Sequence, residues 1–245
     1  MLHLHERRMS LRSRSEDPRP DSEKSPTIFV LCGPSGSGKS SLVSKLMGEF
    51  PGRFGFSVSH TTRQPRVGEI NGVHYNFTTK EKIQDEIAAG LFLEHALVHG
   101  NHYGTSFAAI DSVIDTGKIC ILDIDVQGVD NLKSSPQVDQ STVVYAMLIP
   151  PSIEELDRRL KGRCTDSEEV IQRRVTRARE EMEYAKKSDG FWDAILVNDD
   201  FDRCYSDLLD LVSRKFRLST PSASPKGSKL FTLSARKPTT NQQLE

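Results

Sequence analysis

Ile28-Phe29-Val30-Leu31-Cys32-Gly33-Pro34-Ser35-Gly36-Ser37-Gly38-Lys39-Ser40-Ser41 is the stretch that decides the fold. Five apolar residues run without alternation and stop at a glycine, which is how a strand buried on both faces of a parallel sheet reads. Residues 33–40 fit G-x-x-x-x-G-K-[ST], the phosphate-binding loop pattern. Its glycines let the backbone turn sharply and aim successive N–H groups at phosphate oxygens. Lys39 can reach the outer phosphates, and the Ser40 hydroxyl can coordinate Mg²⁺. Past the loop, Leu42, Val43 and Leu46 mark one face of a helix over 41–47, whose positive N-terminal end faces the same anion. A glycine-serine loop arising by chance would lack this entering strand and leaving helix. The unit therefore predicts a parallel α/β nucleotide-binding core.

Working outward, buried strands are expected at 118–123, 142–149 and 194–198, with helices between them as right-handed crossovers. Ile119-Cys120-Ile121-Leu122-Asp123-Ile124-Asp125 ends in two carboxylates, at the strand end where α/β folds gather ligands. Asp123 is placed to organise the waters around Mg²⁺. Between Phe54 and Tyr103 the rhythm breaks into short alternating strands and turns, with Asn71-Gly72 as a hairpin signal. That predicts a small antiparallel insertion. A second excursion, residues 150–185, is helical and basic, and Ser152-x-x-Glu155 and Thr165-x-x-Glu168 both fit the capping box.

The bulk numbers add exclusions. The chain has 245 residues, 36% of them hydrophobic, and a net charge of −1, so no global field attracts nucleic acid or an anionic membrane. No apolar run approaches the roughly 20 residues of a spanning helix. Cys32, Cys120, Cys164 and Cys204 are too scattered for a zinc site and are read as free thiols in a reducing compartment. Residues 1–26 and 217–245 are polar and read as disordered arms around a domain at 27–216. The first arm mixes Arg and Ser with acids. A cytoplasmic location is expected, with mitochondrial import left open.

Longer motifs make a family resemblance specific. They are FGFSVSHTTRQPRVGEINGVHYNF at 54–77, GNHYGT at 100–105, LDIDVQG at 122–128, LKGRCT at 160–165 and VNDD at 197–200. With the phosphate loop, they resemble guanylate kinase from Thr27 to about Lys215. The resemblance implies a P-loop core with a parallel sheet, a small mixed or antiparallel GMP-binding insertion at about 57–117, and a helical lid at about 152–190.

The resemblance also implies site residues. ATP would meet Gly33, Pro34, Ser35, Gly36, Ser37, Gly38, Lys39, Ser40 and Ser41, with adenine near Asn198. Arg163 and Arg174 would be lid arginines on the ATP phosphates. Ser59, Arg63, Arg66 and Tyr75 would hold the GMP phosphate. Glu94, Thr105 and Asp125 would read guanine, with Tyr103 closing the pocket. Lys39, Arg66, Arg163 and Arg174 would carry catalysis, with Mg²⁺ at Ser40 and, through water, at Asp123. The partners implied are ATP and GMP or dGMP, with no nucleic acid, no membrane and a monomeric chain.

The chemistry agrees with these assignments. Arginine's planar fork suits a phosphate dianion. Guanine offers N1–H and an exocyclic amine, so two carboxylates can accept from it where adenine would leave an acceptor unpaired. His60 and His102 receive no role, and Arg173, Arg177 and Arg179 are read as solvated or ion-paired. Two residues depart from the family pattern: Thr105 stands where serine is common, and Cys164 where glycine is typical. A guanylate-kinase-like scaffold would carry a degraded nucleotide site, whereas the charged residues here are intact. A GTPase would need an N-K-x-D sequence, which the chain lacks.

Overall fold

The computed structural model describes residues 25–66, 68–98, 100–162, 167–188 and 190–219. The chain runs through β1 (Ile28–Cys32), α1 (Lys39–Glu49), β2 (Phe54–Phe56), β3 (His60–Thr61) and β4 (Asn76–Phe77). There follow α2 (Lys80–Ala88), β5 (Phe92–Val98), β6 (Asn101–Ser106), α3 (Phe107–Ile114), β7 (Ile119–Leu122) and α4 (Val126–Ser134). The last elements are β8 (Val143–Ile149), α5 (Ile153–Lys161), α6 (Glu168–Lys187), β9 (Ala194–Val197) and α7 (Phe201–Lys215).

Five strands form one parallel sheet in the order β2-β7-β1-β8-β9. β1 lies at its centre, and all five of its residues are buried. Because side chains alternate across a strand, Phe29 and Leu31 pack with Leu42, Leu46, Leu208 and Val212 of α1 and α7. Ile28, Val30 and Cys32 pack on the other face with Ile110, Val129 and Leu132 of α3 and α4. This two-sided burial is why the strand reads as an unbroken apolar run. Cys32, Cys120 and Cys204 are buried free thiols within these two cores.

The second sheet has the order β4-β3-β6-β5. It is mixed: β6 pairs antiparallel with β3 and β5, while β3 and β4 run parallel. Helices α5 and α6 make a small core of their own from Leu156, Leu160, Ile171, Val175 and Ala178. Ser152 caps α5 by accepting from the Glu155 amide at 3.2 Å. The Glu155 carboxylate turns forward to Arg158 and Arg159, so the box closes on one side only. The second capping box begins at Thr165, outside the described residues.

Four local readings are corrected. Phe54–Phe56 is not part of the insertion: β2 joins the core sheet beside β7. Residues 80–88 form helix α2, where strands and turns were expected. Its only buried side chain is Ile83, which leaves too thin an apolar stripe to show the helical period. Asn71-Gly72 does not close a two-residue hairpin, because the flanking strands β3 and β4 are parallel. Gly72 instead turns within a wider loop, and the Asn71 side chain accepts from the Phe77 amide at 2.8 Å. Finally, β9 is an edge strand in which only Leu196 is buried.

One close approach positions everything at the site. Gly33 ends β1 with φ +144°, and a Cβ there would lie 2.1 Å from the Leu148 carbonyl oxygen of β8. That oxygen is backbone inside a parallel ladder and cannot move aside. Only glycine lets the chain leave β1 and turn across the top of the sheet.

Candidate nucleotide-binding site

The loop between β1 and α1 is shaped by contacts on both sides. A Cβ on Gly38 (φ +106°) would sit 2.3 Å from Asn198 Nδ2, so the loop and Asn198 approach as closely as glycine permits. Asn198 is buried, and its Nδ2 donates to the Ser37 carbonyl at 2.7 Å. The Asn198 carbonyl in turn accepts from Arg159 at 2.8 Å, tying the end of β9 to helix α5. Leu156 and Leu160 of α5 pack against Gly36. The loop is therefore held from the α5 side as well as from the sheet. No side chain caps α1, which leaves its first amides directed into the cleft.

That cleft has a volume of about 490 Å³ and is lined by the loop, the β7 strand end and α6. Lys39 donates to the Gly33 and Pro34 carbonyls and faces Asp123 at 3.6 Å. The Asp123 side chain is 42% exposed toward the cleft. Partial enclosure raises its carboxyl above the ordinary value, and the nearby Lys39 charge opposes that rise. Arg174 reaches the loop from α6, donating to the Ser35 hydroxyl at 3.3 Å. Arg163 lies outside the described residues, as does Cys164.

Asp125 lines this cleft and also lies close enough to Glu94 for its charge to act there. One of its oxygens accepts from the Gly128 amide at 2.9 Å and caps α4. Gly128 brings α4 close to β5: a Cβ there would lie 3.3 Å from Glu94 Cγ. Glu94 accepts from the Thr105 hydroxyl across the β5–β6 pair at 2.6 Å. Burial lifts the Glu94 carboxyl above its usual range, the Thr105 bond opposes this, and the negative Asp125 adds to the rise. Two carboxylates and a buried hydroxyl thus share one small region. The threonine at 105 holds Glu94 with its hydroxyl while its side chain stays buried.

The remaining insertion residues form a neighbouring group. Tyr75 and Tyr103 meet edge to face at 6.0 Å, and the Arg63 guanidinium lies 5.5 Å from the Tyr75 ring centroid. Arg63 also donates to Glu69 at 2.8 Å, and the Arg66 amide donates to the other Glu69 oxygen at 2.7 Å. These two donors hold the Glu69 carboxyl down at about 2. Glu69 keeps the arginine turn in shape, while the Arg66 side chain is exposed. The Ser59 carbonyl accepts from Asn76, joining β3 to β4. His60 lies against Phe92 at 5.1 Å, in a packing position.

Sequence reasoning gave no role to Glu69, Arg159 or Glu181, and it left Arg177 as a solvated or ion-paired residue. The structure pairs Arg177 with both Asp125 and Glu181. The signal was present in the spacing: Arg174, Arg177, Glu181 and Tyr184 recur at three and four residues, one face of a helix. A purely apolar search for the helical stripe passes over them.

The fold and cleft define a P-loop nucleotide-binding α/β protein. The Guanylate kinase family matches residues 25–215. Guanylate kinase of Homo sapiens is 44% identical over 192 residues, covering 78% of this chain and 95% of that protein. Guanylate kinase 1 of Oryza sativa subsp. japonica is 53% identical over 185 residues, covering 76% of this chain and 47% of that protein. The chain spans about half the length of the plant relatives it matches, with 46% for Guanylate kinase 1 of Arabidopsis thaliana. A crystal structure of guanylate kinase from Anaplasma phagocytophilum superposes with a TM-score of 0.55 at 28% identity, covering 78% of this chain and 87% of that one. The chain belongs to the guanylate kinase family.

Asn198→Ala should test the loop's support. It leaves the Ser37 carbonyl unpaired in a buried position, which costs about 1–3 kcal/mol. Denaturant unfolding should report that loss, and ATP binding should weaken several-fold as the loop loosens. A variant with wild-type stability and ATP affinity would remove Asn198 from this role.

Proposed function

We propose that this chain transfers the γ-phosphoryl group of ATP to GMP, with dGMP as a second acceptor. The observation that carries this reading is the position of Asp125, which faces the phosphate cleft on one side and Glu94 on the other. A guanine held by these two acids puts its nucleotide phosphate within reach of the loop that holds ATP. The insertion at about 57–117 then serves GMP, and the segment at about 152–190 serves as the lid.

Within this reading an oxygen of the GMP phosphate attacks the γ-phosphorus in line. A new P–O bond forms as the bond to the β,γ-bridging oxygen breaks, and ADP leaves. The attacking oxygen is already ionised at neutral pH, so no general base is needed and catalysis reduces to alignment and charge neutralisation. Arg63, Arg66, Tyr75 and Ser59 would hold the GMP phosphate, and Tyr103 would help close the pocket in which Glu94, Thr105 and Asp125 meet guanine. Lys39, Arg163 and Arg174 would follow the charge on the moving group, with adenine near Asn198.

The chain also fits Mg²⁺. Ser40 and the exposed Asp123 carboxylate offer hard oxygen ligands on one side of the cleft, and this ion is commonly held by one or two protein oxygens plus substrate phosphates. When bound, the ion would supply positive charge that offsets the charge of the phosphates. Ser40 would touch it directly and Asp123 through water. No described helix is long and apolar enough to cross a membrane. A monomer working in the cytoplasm is the remaining part of the proposal.

Lys39→Ala should lower turnover at least about a hundredfold, the scale of removing one transition-state donor. Steady-state kinetics on the folded variant measures this, and near-normal turnover would count against the mechanism.

Glu94 sets a pH dependence. Its folded-state pKa is raised, mainly by burial, so the protonated form adds stability in acid that is lost as pH rises through that value. GMP needs the ionised form. The kcat/KM for GMP should therefore fall on the acid side with an inflection above the ordinary carboxylate range. Glu94→Gln should lose that limb, lower GMP efficiency by about 3 kcal/mol and unfold no more easily than wild type at neutral pH. The phosphate of GMP ionises alike in both proteins, so the lost limb belongs to Glu94. An unchanged acid limb, or an equal loss for ATP, would remove Glu94 from the guanine pocket.

A further inference from the structure

Helix α6 meets the core through polar side chains on one face. Arg174 donates to Ser35 of the phosphate loop, and Tyr184 donates to Asp130 of α4. Between them Arg177 spans two acids with different nitrogens. Its Nε lies 3.3 Å from Glu181 Oε1 on its own helix, and its Nη2 donates to Asp125 Oδ2. All three charged groups line the phosphate cleft.

The two acids hold Arg177 unequally. The Glu181 side chain is 6% exposed, and its other carboxylate oxygen has no hydrogen-bond partner among the described residues. A buried carboxylate that lost its cation would be strongly destabilised, so Glu181 keeps its grip. Asp125 is 35% exposed and the Arg177 side chain 60% exposed, so their pair is screened and easily exchanged. Asp125 Oδ1 is already committed to the Gly128 amide, leaving Oδ2 as its outward acceptor. Arg177 stands on that oxygen.

We infer that Arg177 makes helix α6 respond to the GMP base: it competes with guanine for Asp125 Oδ2 and, once displaced, pivots on Glu181 to turn its terminal nitrogens toward the phosphates. This rests on the reading of Asp125 as a guanine acceptor. The guanidinium suits the task because its Nε can stay on Glu181 while the Nη groups change partners. A ligand that replaces one partner of a two-partner contact shifts the helix only by its differential affinity, so the effect is a modest coupling between the two substrates.

The experiment is calorimetric titration of GMP into the full chain at low salt, with and without a non-hydrolysable ATP analogue, together with steady-state kinetics. Arg177→Ala removes the competitor. GMP should then bind about two- to fivefold more tightly in the absence of the analogue, the range of an exposed ion pair. The same variant should lose kcat about tenfold or more, because a cation no longer reaches the phosphates. A residue needed only for structure would weaken GMP binding instead. Since Arg177→Ala strands a buried acid, the double variant Arg177→Ala/Glu181→Gln keeps the test sound and should show the same tightening.

Unchanged or weaker GMP binding in these folded variants overturns the inference. Asp125→Asn, which retains a residue suited to capping α4, separates the two levels of the account. If it leaves GMP affinity intact, the guanine reading of Asp125 fails and the inference fails with it. If it weakens GMP while Arg177→Ala gives no tightening, only the inference about Arg177 fails.

Discussion

The structure depends on a backbone that must change direction where no side chain fits. At Gly33 the chain leaves β1 against the Leu148 carbonyl, and at Gly38 it enters α1 against the Asn198 amide. Between those points Lys39 folds over its own loop. The sheet fixes one side of this turn through β8, and α5 fixes the other through Leu156 and Leu160. An anion site built from backbone needs this enclosure, because amide dipoles are useful only when they cannot rotate away. The apolar burial of β1, β7 and β8 supplies the stiffness that the loop uses.

The rest of the site follows from charge. Asp123 and Asp125 leave the end of β7 two residues apart, and each finds a cation: Lys39 for the first, Arg177 for the second. Among the described residues Glu94 has no such partner. It is held by the Thr105 hydroxyl in a desolvated pocket that also feels Asp125, which is an unfavourable place for a lone carboxylate. A base with two donors on one edge relieves that cost, and a base without them leaves it in place. On the proposed function, selectivity would come from groups whose discomfort only the right ligand removes.

Much of this was legible from residue order. β1, β7 and β8 announce themselves as apolar runs because they are covered on both faces, and the loop announces itself through spacing. The two-residue strands β3 and β4 carry no periodic signal, and α2 buries only Ile83. β2 is three residues long and reveals its place in the core sheet only through pairing with β7. In the site, Lys39 and Asp123 were readable as residue types in motifs. The contacts that hold Arg63, Asn198 and Asp125 were harder to read, because Glu69, Arg159, Arg177 and Glu181 act through geometry that the folded chain creates.

The central claim is that one cleft serves ATP and a guanine nucleotide together, and its most direct test is initial-rate kinetics at saturating ATP with GMP, dGMP, AMP, UMP and CMP as acceptors. The account predicts that GMP exceeds AMP by about four orders of magnitude in kcat/KM, as expected when a wrong base leaves buried acceptors unpaired. It predicts that dGMP stands near GMP, since the named acids address the base and not the sugar. Comparable rates with GMP and AMP, or no phosphoryl transfer to any of the five, would contradict it.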